Sequence, residues 1–319
     1  MGMMCLFPLS SDMKVLVTGA NGMVGKNLVE RLMLQDNLDI MAPTRSELNL
    51  LDQHLVTEYM QEHKPDFVFH LAAKVGGIQA NINEPVEFLV ENTMMNTHVI
   101  MAAMESSVQQ FINLGSSCMY PRNRDILHES DVLTGELEPT NEGYALAKLT
   151  AARLCQYITK TKGLTYKTVV PCNLYGRYDH FDAVRSHMVP AVIRKIHEAK
   201  DNKIKDVSIW GDGESRREFM YVDDLIDFML LGMSDMQALP DIVNVGLGFD
   251  YSINEYYKIG AEVVVYNGIF THDLEKPAGM RRKMMDVSSA HAMGWKAKTS
   301  LQDGMKYMYD YYLNEVVNA

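Results

Sequence analysis

The 319 residues are 47% apolar and 22% charged, which suits a globular chain with one large core or a core plus a smaller lobe. No segment approaches the roughly eighteen consecutive apolar residues of a membrane span, and a formal net charge of −11 argues against nucleic acid as a partner. Four cysteines (Cys5, Cys118, Cys155, Cys172) without paired or Cys-x-x-Cys spacing point to a reducing, cytoplasmic setting, and no metal site is expected.

Residues Met1 to Asp12 lack the basic start and long apolar core of a secretory signal and read as a disordered extension over 1–12. Lys14 to Gly19 is a short β-branched run ending in glycine, and helical spacing follows at Val24, Leu28, Leu32 and Met33. Between them lies Gly19-Ala20-Asn21-Gly22-Met23-Val24-Gly25, a strand–turn–helix unit spaced G-x-x-G-x-x-G. Glycine permits positive φ and lets a pyrophosphate approach the backbone, while the helix start offers it unpaired N–H groups. Asp39 to Thr44 is the second strand. A unit that selects NAD usually ends this strand with an acid for the ribose hydroxyls; here Thr44, Arg45 and Ser46 suit a 2′-phosphate, which predicts NADPH. Asp52 is expected beside the adenine amine or as the cap of the next helix.

Asp66 to Ala73 reads as a buried strand whose end, Leu71-Ala72-Ala73, is small enough for a cofactor to cross. A loop over Lys74 to Ile78 and a helix over Pro85 to Met104 follow. Gln109 to Leu114 then delivers Gly115, Ser116, Ser117 and Cys118. The helix from Gly143 to Thr159 carries Tyr144 and Lys148 four residues apart on one face. A neighbouring ammonium lowers a phenol's pKa, so Tyr144 is expected to exchange protons near neutrality. With Ser116 it suits hydride transfer to or from a carbonyl, and Cys118 is a second possible proton carrier. Tyr166 to Val170 is a further strand, running into Pro171-Cys172-Asn173-Leu174-Tyr175-Gly176.

This alternation predicts an α/β chain with a Rossmann-type doubly wound parallel sheet and ligands at the strands' carboxyl edge. The dinucleotide-binding domain is expected over 13–176, completed by segments near 220–250, with 177–319 mainly a smaller C-terminal α/β substrate-binding lobe. A helix is expected over Ser186 to Ala199 and another over Val222 to Met233, opened by Asp223 and Asp224 for the helix dipole. Basic clusters at 194–195, 216–217 and 276–283 suit a diphosphate substrate, and Trp210 is either a stacking surface or core.

Several stretches are more selective than Tyr-x-x-x-Lys: Ala72 to Ile78, Gly115-Ser-Ser-Cys-Met-Tyr-Pro121, Leu137-Glu-Pro-Thr-Asn-Glu142, Asn173 to Gly176, Ser186-His187, Arg217-Glu-Phe219 and Val222-Asp-Asp224. From about Lys14 onward the chain resembles the extended short-chain dehydrogenase/reductase family, and within it the epimerase-reductases of GDP-4-keto-6-deoxymannose. That resemblance implies a reductase triad of Ser116, Tyr144 and Lys148, with Cys118 as epimerisation base and His187 as acid. It implies NADPH contacts at Gly19, Asn21, Gly22, Met23, Val24, Gly25, Arg45, Asp52, Leu71, Ala72, Ala73, Leu114, Gly115, Ser116, Ser117, Tyr144, Lys148, Pro171, Asn173, Leu174 and His187. Sugar-nucleotide contacts are implied at Ser117, Cys118, Asn173, Lys195, Trp210, Arg217 and Lys276. The implied reaction is C3/C5 epimerisation and C4 reduction of GDP-4-keto-6-deoxy-D-mannose to GDP-L-fucose by a homodimer. Alternatives are reduction, with or without one epimerisation, of a related GDP-4-keto-6-deoxy sugar such as a heptose or a 3-deoxy sugar, or a non-catalytic NADP(H)-sensing protein. Three departures bear on which sugar is taken: Arg177-Tyr-Asp-His180 where Pro-His-Asp-Asn is usual, Cys172 in place of threonine, and Ala278 in place of an acid.

Overall fold

The computed structural model describes residues 13–182, 186–276 and 282–318. The expected leading extension, Ala278 and Arg281 lie outside the described residues. Two compact units emerge, the first comprising residues through Arg122, then Asp131–Pro171 and Ile226–Val243.

The first unit is built on β1 (Met13–Thr18), β2 (Leu38–Met41), β3 (Phe67–His70), β4 (Gln110–Leu114), β5 (Thr165–Pro171) and the first half of β6 (Ile242–Val245), strands of one six-stranded sheet. Its order is β6-β5-β4-β3-β1-β2, and β1 to β5 pair in parallel. Val15, Leu16, Val17, Phe67, Val68, Phe69, Phe111 and Ile112 are all fully buried, as required of strands covered on both faces. The covering helices are α1 (Met23–Leu32), α2 (Gln53–His63), the short α3 (Ile78–Asn83), α4 (Pro85–Glu105) and α5 (Glu142–Lys162). Pro85 opens α4 where its missing N–H has no partner to lose. One core cluster joins Leu16, Val68, Val99, Ala103, Phe111, Ala151, Cys155 and Tyr166.

Strand order reverses between β1 and β3, the switch point at which such sheets bind ligands. Register places Thr18 beside His70, His70 beside Asn113 and Asn113 beside Thr168, so Gly19, Leu71 and Leu114 leave the sheet at one carboxyl edge. Just below that edge the Thr18 hydroxyl meets His70 Nδ1 (2.7 Å), and His70 Nε2 meets Asn96 Oδ1 (2.9 Å). Asn96 in turn donates to the Ala147 carbonyl of α5 at 3.3 Å. Burial, with Lys148 nearby, pushes His70 down to about 3, so its imidazole is neutral.

The second unit takes Asn123–Ser130, Cys172–Leu225 and residues from Asn244 onward. Its helices are α6 (Met188–Asp201), the start of α7 (Val222–Ser234), α8 (Ile253–Val264) and a C-terminal helix, Leu301–Tyr312. Val192, Ile196, Ile209, Tyr256, Met305 and Met308 form its core. Asp206–Trp210 pairs in parallel with Ile269–Asp273, and Asn173–Tyr175 with Phe219–Tyr221. The helix expected from Ser186 begins two residues later, with His187 as its N-cap. Asp224 does more than meet a helix dipole: its carboxylate accepts the Lys298 and Thr299 N–H groups at 3.0 and 3.1 Å. Glu218 is fully buried and accepts from the N–H groups of Leu247, Gly248 and Met285 at 2.6, 3.0 and 2.7 Å. Burial pushes it up to about 7.

Candidate active site

The glycine turn after β1 is packed backbone against backbone. Gly19 sits at φ +74°, and a Cβ there would lie 2.6 Å from the Ala72 nitrogen; one on Gly25 would lie 2.2 Å from the Gly19 oxygen. Gly22, the N-cap of α1, offers no capping side chain, and the first helical turn holds no acid. The start of α1 therefore keeps N–H groups and a partial positive charge without an internal anion, which fits the pyrophosphate of a dinucleotide.

After β2, the Thr44 N–H and hydroxyl both donate to Glu47 (2.7 and 2.8 Å), and the Thr44 and Ser46 hydroxyls lie 2.9 Å apart. The nearest acid is thus engaged by Thr44, while Arg45 is exposed, a setting that fits a 2′-phosphate. Asp52 takes the second of its two expected roles: its carboxylate caps α2 by accepting the Leu55 N–H at 3.1 Å. Leu71, Ala72 and Ala73 follow β3 and are partly exposed.

The chemistry-bearing groups of this unit meet where β4 ends and α5 begins. Ser116 caps a short 3-10 turn by accepting the Cys118 N–H at 3.3 Å, which ties the two residues together through the backbone. The Ser116 side chain lies near enough to the Tyr144 hydroxyl to favour its ionised form. Lys148 is fully buried and donates from Nζ to the Leu114 carbonyl at 2.7 Å. Its Nζ stands 5.8 Å from the centroid of the Tyr144 ring.

The expectation that Lys148 depresses the Tyr144 pKa is not met. Burial, with Cys118 adding to it, pushes the phenol well above its ordinary value, and the neighbouring Ser116 side chain only partly opposes this. The ammonium is aimed at a backbone carbonyl rather than at the phenolic oxygen, and burial brings Lys148 itself down to about 8. Tyr144 therefore rests as the protonated phenol: a proton donor. That is the state reduction of a ketone requires, because the phenol surrenders its proton only once an alkoxide forms.

Sequence reasoning missed Asn141. It lay inside the quoted Leu137–Glu142 stretch, yet had no assigned role. Its Nδ2 donates to Cys118 Sγ at 3.1 Å, a tertiary contact that no local pattern announces.

In the second unit, His187 Nδ1 lies 3.4 Å from Asp179 Oδ1, whose side chain is only 2% exposed. The hydrogen bond from this carboxylate raises the imidazole's pKa against the opposing effect of burial. Trp210 is not core: it is 57% exposed, with Lys195 Nζ 5.4 Å and Lys276 Nζ 5.7 Å from its ring. Burial lowers the pKa of Lys195, helped by neighbouring Arg194. Asn173 donates to the Glu218 carbonyl at 3.1 Å, and Arg217 donates to the Arg216 carbonyl at 2.7 Å.

The three basic clusters are not uniformly available to a diphosphate. Arg194 pairs with Glu198 at 2.9 Å, while Arg216 and Arg282 both grip the buried Asp250, at 2.6 and 2.5 Å. Those guanidiniums serve the unit's own packing; sequence clustering could not reveal it, because Asp250 lies far along the chain from both.

Residues 15–246 match the NAD dependent epimerase/dehydratase family. A protein of Yersinia pseudotuberculosis named GDP-L-colitose synthase is 50% identical over 96% of this chain and its own full length. GDP-L-fucose synthase of Azorhizobium caulinodans is 44% identical over 95% of this chain and 98% of its own. Among solved structures, the GDP-mannoheptose C4 reductase MlghC of Campylobacter jejuni, with NADP bound, superposes with a TM-score of 0.87 at 32% identity, covering 96% of this chain and all of its own.

Proposed function

The chain belongs to the NAD dependent epimerase/dehydratase family, and on that premise we propose that it is an NADPH-dependent epimerase-reductase of a GDP-4-keto-6-deoxy sugar. The observation that carries this reading is the meeting of Ser116, Tyr144, Lys148 and Cys118 in one cluster, a carbonyl-reducing triad with a thiol beside it. When bound, NADPH supplies the hydride that reduces C4. It would be held by the Gly19–Gly25 turn at its pyrophosphate and by Thr44, Arg45 and Ser46 at its 2′-phosphate.

The keto group acidifies the C–H bonds at C3 and C5. Cys118, as thiolate, removes such a proton, and the enolate oxygen so formed accepts hydrogen bonds from Ser116 and Tyr144. The proposed acid is His187, whose pKa Asp179 raises; it would return a proton to the carbon and invert the centre. The same two hydroxyls then serve the alkoxide of the reduction, to which Tyr144 gives its proton. One oxyanion site thus suffices for both reactions.

The finer reading is conversion of GDP-4-keto-6-deoxy-D-mannose to GDP-L-fucose with inversion at C3 and C5. A second reading, favoured by the 50% identity to a protein named for colitose, replaces the substrate by its 3-deoxy analogue, leaving inversion at C5 alone. Turnover of both GDP-keto sugars in D₂O separates them: deuterium at C3 and C5 of the mannose-derived product, with higher kcat/KM for that substrate, supports the first. Preference for the 3-deoxy sugar supports the second. NADPH consumed without deuterium at either carbon, or wild-type turnover by Cys118→Ser, overturns the epimerase assignment in both.

A homodimer is part of the proposal. Val86, Val90 and Met94 recur every fourth residue on α4 and stay exposed, as do Leu146 and Tyr157 on α5, the apolar stripe expected of a helix-paired interface.

A further inference from the structure

We infer that Asn141 is the positioning residue that steadies the Cys118 sulfur for proton removal, a role that rests on the epimerase reading above. Three observations converge on it. The first is the contact itself: Asn141 Nδ2 donates to Cys118 Sγ at 3.1 Å, near the short limit for a sulfur acceptor. An amide N–H can donate to either form of the sulfur, but a negatively charged acceptor gains far more from it than a neutral thiol.

The second is what the side chain forgoes. Asn141 is the N-cap of α5, and asparagine is among the residues best suited to cap a helix by accepting a backbone N–H. Its side chain makes no such bond; it turns to the sulfur instead. The third is the orphaned atom this leaves. Asn141 Oδ1 is shut off from solvent and has no hydrogen-bond partner among the described residues. A residue selected for stability alone would cap the helix and satisfy that oxygen; this one does neither.

Helical spacing completes the picture. Asn141, Tyr144 and Lys148 lie three and then four residues apart at the start of one helix, so a single element presents the group that steadies the sulfur, the proton donor and the buried ammonium. Ser116 holds the Cys118 backbone by accepting its N–H at 3.3 Å. The sulfur is therefore held by one donor and by an anchored main chain, and the base is poised before substrate arrives.

The test follows the thiol and not only turnover. Alkylation by iodoacetamide is measured across pH, with the Cys118 peptide quantified by mass spectrometry, for wild type, Asn141→Ala and the isosteric Asn141→Asp. Loss of the donor should move the alkylation midpoint to higher pH and slow alkylation at pH 7 about tenfold in Asn141→Ala, more in Asn141→Asp. Solvent deuterium exchange into the keto sugar should fall in parallel, with NADPH affinity changed less than twofold. Wild-type alkylation midpoints in both variants would overturn the inference while leaving Cys118 as the base. Undiminished exchange in Cys118→Ser would instead remove the base assignment, whatever the alkylation profiles show.

Discussion

Replacing Lys148 by Met takes out a charge that the fold buries at a cost. The side chain is held at about 8 against an ordinary 10.5, a difference worth about 3 kcal/mol at neutral pH. Against this stands its 2.7 Å hydrogen bond to the Leu114 carbonyl, whose loss costs about 1–3 kcal/mol. The unliganded Lys148→Met protein should therefore be as stable as wild type at pH 7, or up to about 2 kcal/mol more stable. The pH dependence gives the sharper sign. Between about 8 and 10.5 the unfolded chain still binds a lysine proton that the native chain has released, so wild-type stability rises with pH across that window. Methionine has no such proton. Urea unfolding at pH 7 and again at pH 10 should show the difference swinging towards wild type by about 2–3 kcal/mol. Reduction by the variant should meanwhile fall at least about 10²-fold. A stability difference that stays flat between the two pH values refutes the buried, depressed ammonium.

Three further outcomes are expected. Asp179→Asn removes the carboxylate that raises His187, so the limb on which solvent exchange declines with rising pH should move to lower pH, as a pH profile of deuterium incorporation would record. Gly25→Ala places a methyl 2.2 Å from the Gly19 oxygen and 2.6 Å from the Ala20 Cα, both backbone atoms; fluorescence titration should show NADPH affinity weakened more than about tenfold, with stability lower by about 1–3 kcal/mol. Val90→Glu puts a charge in the exposed stripe of α4, and light scattering should report a monomer where wild type gives twice 36.1 kDa. An unchanged mass for the variant would place the interface elsewhere.

Much of the cofactor half was legible because its signals are local. Gly19, Gly22 and Gly25 lie within seven residues and answer to one turn, and Tyr144 and Lys148 share a helix face whatever surrounds them. What a local pattern cannot carry is the balance of burial against charge. Four-residue spacing suggested an acidified phenol, whereas the fold sends the ammonium to Leu114 and leaves Tyr144 protonated. Likewise Arg216 and Arg282 looked like spare cations until Asp250 arrived from elsewhere in the chain to take both. Asn141 carries no role in the sequence reading; only tertiary structure supplies the sulfur that claims its amide.

The buried run from Thr18 through His70 and Asn96 to Ala147 has a direction. With the imidazole neutral, the Thr18 hydroxyl donates to Nδ1, Nε2–H donates to Asn96 Oδ1, and the Asn96 amide donates onward to α5. Every link points the same way, so no member can reverse without orphaning its neighbours. The strand that feeds the glycine turn and the helix that carries Tyr144 and Lys148 are thereby keyed like tumblers in a lock. Opening one strands polar atoms in the other. Amide hydrogens of β1, β3 and the first turns of α5 should therefore exchange with solvent as one cooperative block, and His70→Phe should split that block in two.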